Sequence, residues 1–248
     1  LKKDWDGIRK KVGQNNLDPE PALTEKMSGV GCKEKHISKA MEDTDLKGKD
    51  VTKWDNQDLQ NLCKALRKKT KPILIAANKV DVPGARENLS RLQEEFPEYE
   101  IIGTSAESEL ALRKAADEGK ITYRPGQETF TIKEDVTEEQ EKGLRFIKEH
   151  VLREGETGVQ KAIETAIFNV LNYIPVFPGG EDNLADKEGN ILPDCFLIPK
   201  GSTTLDFAYH IHSDLGENFI QAKDVKNDIN ISKDHEISEG DVIKIFSE

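Results

Sequence analysis

Residues 71–81 read KPILIAANKVD, and what this stretch forms decides the fold. Pro72 opens an unbroken apolar run, Ile73-Leu74-Ile75-Ala76-Ala77, and Asn78-Lys79-Val80-Asp81 closes it. A short apolar run without alternation predicts a strand buried on both faces, as in a parallel sheet. Pro83-Gly84 then marks a turn, and Ala85 to Phe96 has helical spacing. Tyr99 to Gly103 reads as a second strand, ending in Thr104-Ser105-Ala106. Strand, helix and strand joined by short connections are the signature of an α/β domain.

In open α/β sheets, ligands lie beyond the carboxyl ends of the strands. The residues that close these two strands therefore carry the chemistry. Asp81 can accept two hydrogen bonds from guanine, one from its ring N–H and one from its exocyclic amine. Adenine presents a lone pair at that ring nitrogen and would leave the carboxylate unpaired, which is strongly unfavourable. Asn78 can reach the base edge and tie neighbouring loops together. The stem of Lys79 can lie over the base plane. At the end of the second strand, a backbone N–H, that of Ala106, can donate to the guanine oxygen. Asn78, Lys79, Asp81, Ser105 and Ala106 are the candidate guanine-binding residues.

The phosphate half of such a site has no counterpart in this sequence. A phosphate loop needs Gly, four residues, then Gly-Lys-Ser/Thr, so that backbone N–H groups wrap the phosphates and a lysine neutralises them. Gly48-Lys49 is followed by Asp50, and Gly119-Lys120 by Ile121. Asp-x-x-Gly occurs at Asp4/Gly7, Asp45/Gly48 and Asp186/Gly189, none of them after a strand. No catalytic residue and no metal ligand is assigned.

Upstream of the decisive stretch, residues 1–71 contain no convincing strand. Lys2 to Val12, Leu23 to Met27, Ile37 to Met41 and Asp58 to Lys69 have helical spacing. Asp55 is placed to cap the last of these, whose stripe is Leu59, Leu62, Cys63 and Leu66. Trp5 and Trp54 flank the segment and are expected to pack it. Downstream, helical pattern resumes at Glu107 to Glu118, and residues 121–136 are irregular or short-stranded. Thr137 with Gln140 forms a capping box for a helix to about Arg153. Val159 to Tyr173 reads as a further helix, ended by Pro175 and Pro178. A polar loop to Asn190 is the expected boundary. Beyond it the pattern changes to a small mixed fold. Strands are expected at Cys195–Ile198, Phe219–Ala222 and Val242–Phe246, with a helix capped by Thr203 and Asp206 running to His212.

The composition, 35% hydrophobic and 33% charged over 248 residues, is that of a globular protein in water. No apolar run reaches 18 residues, so no membrane span is expected. Cys32, Cys63 and Cys195 are too dispersed for a disulfide framework or a metal site and fit a reducing cytoplasm. The formal charge of −11 is uneven, with balances of +5 over residues 1–71, −10 over 72–191 and −6 over 192–248. If RNA is a partner, phosphate contacts belong mainly to the first segment. His210 and His212 have a chelating spacing but no third ligand. Phe207, Tyr209 and Phe219 are aromatic enough to stack on bases, yet so small a module needs most of them as core.

The sequence resembles the archaeal branch of the Obg-related, YchF-like GTPases that end in a TGS domain, named for threonyl-tRNA synthetase, GTPase and SpoT. The likeness rests on KPILIAANKVD at 71–81, GTSAESELALRKAADEGKITYRPG at 103–126 and TGVQKAIETAIFNVLNYIPVFP at 157–178. FLIPKGSTTLDFAYHIHSDLGENFIQA at 196–222, with EGDVIKIF at 239–246, is the most specific part and looks like TGS. The resemblance implies an α/β architecture: a partial P-loop GTPase domain over residues 1–178, then a β-grasp, ubiquitin-like TGS domain over 192–248. Residues 1–71 would be mainly a helical insertion and 72–178 the base-binding half with the last helices. It implies GTP and GDP as ligands, and Mg2+, the phosphate loop and the switch regions in an N-terminal portion outside this sequence. GTP hydrolysis would then belong to the full-length protein, and ribosomes or RNA would be partners. The alternative is a non-enzymatic adaptor that contacts RNA or protein through TGS and the basic helical segment.

Overall fold

A computed structural model describes residues 5–14, 17–133, 136–179, 189–191 and 194–248. The chain divides into two compact units, Leu1–Ile73 and Leu74–Glu248.

The first unit is helical, as its spacing predicts. Its helices are α1 (Trp5–Gln14), α2 (Pro19–Met27), α3 (Glu34–Asp43) and α4 (Asn56–Thr70). Asp55 caps α4 by accepting the Asp58 N–H at 2.8 Å, and Asp58 returns the bond to the Asp55 N–H at 3.0 Å. Leu59, Leu62 and Leu66 point into a core with Leu23, Ile37 and Met41. Trp5 stacks on Trp54 with ring centroids 5.4 Å apart. The Trp54 indole N–H finds the Lys49 carbonyl at 3.1 Å, so the second ring is buried without leaving its donor unpaired.

The second unit opens with β1 (Leu74–Asn78), followed by α5 (Ala85–Glu95), β2 (Glu100–Thr104) and α6 (Ala106–Asp117). β1 and β2 pair in parallel, with Leu74 opposite Glu100 and Asn78 opposite Thr104. The expectation that β1 is buried on both faces is not met. Ala76 is exposed and Leu74 and Ile75 are half-buried, because β2 is the strand's one partner among the described residues. A short hairpin, β3 (Ile121–Thr122) with β4 (Thr131–Ile132), occupies the irregular stretch. It shares a core with α6 and α7 (Glu138–His150), made of Leu112, Ile121, Tyr123, Phe130, Leu144 and Ile147. Thr137 and Gln140 form the capping box of α7, with bonds of 3.2 and 3.0 Å.

Helix α8 (Val159–Glu164) continues into one π-wound stretch, Thr165–Val170. The chain then enters a strand that the sequence reading missed, β5 (Tyr173–Pro178). Helical winding stops at Val170, short of the expected Tyr173, and Pro175 and Pro178 lie within the strand instead of ending the helix. β5 pairs with β6 (Phe196–Pro199) from Tyr173 to Val176, and β9 (Val242–Ser247) joins only from Phe177 onward. On the β9 side Pro175 offers its carbonyl alone, which accepts the Gly240 N–H at 2.8 Å just ahead of β9, so the missing N–H is tolerated. The overlooked signal was the alternation of Ile174 and Val176, both buried, with Tyr173, Pro175 and Phe177.

The C-terminal sheet is completed by β7 (Phe219–Asp224) and β8 (Ile229–Ile231), in the order β6-β5-β9-β7-β8. All neighbours are antiparallel except β5 and β9. α9 (Thr204–Ile211) packs on one face, driving the fully buried Phe207 among Ile174, Val176, Ile198 and Ile243. This is a β-grasp fold. Phe219 packs partly buried against the same core, while Tyr209 stays half-exposed. His210 lies edge-on to the Phe196 ring, and His212 caps α10 (Ser213–Glu217) by accepting the Asp214 N–H at 3.2 Å. Both histidines are thus spent on packing and capping.

Candidate base-recognition site

The parallel register brings the ends of β1 and β2 to one edge, so Asn78 stands beside Thr104. There the chain leaves β1 through Lys79, whose backbone is left-handed at φ +71°. A lysine in that region is uncommon and is kept there by the surrounding bonds. Next to it, the Val80 N–H donates to the Thr104 carbonyl at 3.1 Å. This ties the turn after β1 to the end of β2 and leaves the Lys79 side chain in solvent.

All five residues singled out from sequence meet at this edge. The Ser105 hydroxyl donates to Asp81 Oδ1 at 2.7 Å. Asn78 Oδ1 accepts the Ala106 N–H at 3.1 Å, with the Thr104 hydroxyl at 3.5 Å. The two turns are therefore stitched to each other by side chains from both. One detail differs from expectation. The Ala106 N–H, expected to face a base oxygen, is engaged by Asn78, so a base oxygen there would share or displace that carbonyl. Glu107 follows Ala106 in the exposed first turn of α6.

Sequence reasoning missed a second layer behind this edge. Gly155 and Gly158 were legible only as helix breakers, yet the loop they frame presses against β2. The Thr157 carbonyl accepts the Ser105 N–H at 2.8 Å. Gly158 has φ +78°, and a Cβ there would stand 1.9 Å from the Gly103 carbonyl oxygen. Only glycine allows that approach. Beneath the loop sits Glu109, 3% exposed. Its Oε2 accepts the Thr157 hydroxyl at 2.6 Å and the Tyr123 hydroxyl at 2.7 Å, and its Oε1 accepts Arg113 Nε at 2.6 Å. The spacing Ser105-x-x-x-Glu109, one helical turn, was the available signal.

Burial pushes the Glu109 carboxyl upward, but hydrogen bonds from Thr157, Tyr123 and Arg113 outweigh it and hold the group below its ordinary value. The phenol of Tyr123 is pushed well up by burial and by that carboxylate. A carboxyl whose folded value is depressed stabilises the fold above its unfolded value, about 4.3, and loses that contribution as pH falls through the folded value. Glu109→Gln is expected to lower stability by about 2 kcal/mol at pH 7, the worth of a hydrogen bond to a buried charged group. The gap to the unsubstituted protein should begin to narrow below about pH 4.3 and close as pH falls through the depressed folded value. Urea titrations from pH 7 to 3 test this, and a gap independent of pH would refute it.

A parallel strand pair with a polar edge at its carboxyl end, followed by a β-grasp module, defines the class: an α/β domain joined to a ubiquitin-like one. Comparison with known proteins narrows it. Residues 76–180 match the family model described as Obg-like GTPase YGR210-like, G4 motif-containing domain, and residues 187–247 match the TGS domain. In its first matched stretch the chain is similar to the Obg-like, YGR210-like GTPases, and in its second to TGS domains. It is 41% identical over its full length to an uncharacterized GTP-binding protein of Methanocaldococcus jannaschii, of which it covers 62%. An uncharacterized GTP-binding protein of Schizosaccharomyces pombe is 27% identical over 217 residues, covering 82% of this chain and 52% of that protein. The crystal structure of a GTP-binding protein from Pyrococcus horikoshii superposes with a TM-score of 0.76 at 37% identity, covering 99% of this chain and 66% of that one. The chain thus spans just under two thirds of the archaeal relatives it matches. Among the described residues, no helix is long and apolar enough to cross a membrane.

Proposed function

We propose that the protein is a guanine-nucleotide switch and that this chain holds its base-recognition half. The observation that carries the reading is the 2.7 Å bond from Ser105 to Asp81, which fixes a carboxylate at the carboxyl edge of a parallel pair. With one lone pair of Oδ1 engaged, the carboxylate keeps acceptor capacity on both oxygens. That suffices for a ring N–H and an exocyclic amine, the pair guanine offers and adenine does not. Asn78 orients the second turn, and the Lys79 stem covers the base. GTP and GDP are the ligands in this reading, and the full-length protein hydrolyses GTP. Magnesium would neutralise the phosphates there, and no residue of this chain is assigned to it or to them.

The TGS domain is the proposed output, reading nucleotide state to a ribosomal or RNA partner in the cytoplasm. The charge balance of −6 over residues 192–248 favours a contact made through shape or protein over one that grips phosphates. The test is displacement of a fluorescent guanine nucleotide from the full-length protein. GDP is expected to compete at least about 100-fold better than ADP, because the wrong base leaves a carboxylate unpaired. Equal competition by ADP would end the guanine reading.

A further inference from the structure

Four groups from three separate stretches of chain converge behind the base edge, and only one of them, Ser105, touches the edge itself. Glu109 and Thr157 are 48 residues apart in sequence. Ser105 and Thr157 are fully buried and Glu109 nearly so. Burying a carboxylate is costly unless several donors meet it. Here Arg113, half-exposed on the same helix, neutralises Oε1 from one side. Oε2 is turned inward to Thr157 and Tyr123. An ion pair serving α6 alone would not need that inward oxygen.

We propose that Glu109 is a positioning residue for base recognition: it clamps Thr157, whose carbonyl holds the Ser105 N–H, so that the Ser105 hydroxyl keeps Asp81 aimed. This rests on the guanine reading above. The chain of contacts is continuous, from Glu109 Oε2 to Thr157 Oγ1 at 2.6 Å, Thr157 O to Ser105 N at 2.8 Å, and Ser105 Oγ to Asp81 Oδ1 at 2.7 Å. The Ser108 hydroxyl, 2.8 Å from that of Ser105, limits the rotamers Ser105 can adopt. Gly158 supplies the close approach that brings Thr157 within reach. Slackening the clamp leaves Asp81 in place but frees its carboxylate to rotate. The bond to the exocyclic amine, which needs both oxygens aligned, then suffers more than the bond to the ring N–H.

The experiment compares GDP with IDP, whose base lacks the exocyclic amine, on the full-length protein. Thr157→Val removes the hydroxyl and keeps the shape. It is expected to weaken GDP binding about tenfold and to narrow the GDP-to-IDP affinity ratio at least about threefold. Thr157→Ser, which restores a hydroxyl, is expected to recover the ratio. Glu109→Gln serves as a second variant if Thr157→Val does not fold, with the same narrowing expected. A ratio unchanged in the variants, with only the melting temperature lowered, overturns the positioning role and leaves the guanine reading intact. A parent protein that does not distinguish GDP from IDP overturns both.

Discussion

Asp81→Asn is expected to turn the full-length protein from guanine to xanthine nucleotides. The asparagine keeps one acceptor for the ring N–H and for the Ser105 hydroxyl that lies 2.7 Å away in the parent. Its second group becomes an NH2, a donor facing the donor amine of guanine. Two donors face each other with no acceptor, and the loss is about 3 kcal/mol, or roughly 100-fold in affinity. Xanthine has a carbonyl at that position and accepts the new donor. Competition of GDP, XDP and ADP for one fluorescent nucleotide reads the change directly. A substituted protein that still ranks GDP above XDP would remove Asp81 from the site. Because the asparagine oxygen can still accept from Ser105, the turn itself should persist, and melting temperature should move little.

Gly158→Ala acts on stability instead, and its expected effect is as large. A left-handed alanine costs about 1 kcal/mol. The new Cβ would also meet the Gly103 carbonyl oxygen at 1.9 Å, so backbone must move on one side or the other. Together these reach about 3 kcal/mol or more, among the larger effects of a single substitution. The melting temperature should fall by about 6–12 °C. Gly143→Ala, in the exposed middle of α7 where a Cβ meets nothing within 4 Å, is expected to be neutral or slightly stabilising. Thermal melts of the two variants side by side separate loop geometry from a general intolerance of alanine. Equal melting temperatures would mean that the loop yields at no cost.

Much of the fold was legible because its signals are local. The caps at Asp55, Thr137 and Thr203 announce α4, α7 and α9 through side chains three residues apart. The front of the site was legible for the same reason, since Asn78, Lys79 and Asp81 form one short motif at a strand end. Its back was not. Thr157 reaches Glu109 across 48 residues, and nothing at either position marks the other. β5 was hidden by its prolines, which read as a stop when only a helix was under consideration. β1 read as doubly buried because its composition reports what the strand can bury, not which strands lie beside it. The Ala106 N–H was assigned to a ligand because spacing cannot show that Asn78 reaches it first.

The parallel pairing of β5 with β9 has a mechanical consequence. The end of β5 and the run of chain into β9 are joined by bonds from Gly240 N to Pro175 O, Phe177 N to Asp241 O and Gly179 N to Ile243 O, at 2.8, 2.9 and 2.9 Å. A force drawn from the C-terminal end of β9 against the entry of β5 slides one strand along the other. Those bonds are then loaded together in shear rather than peeled one after another, as in a hairpin pulled from its open end. Forced unfolding is governed by the barrier to leaving the native state. A pull applied from the C-terminal side of β9 would therefore meet these bonds loaded in shear.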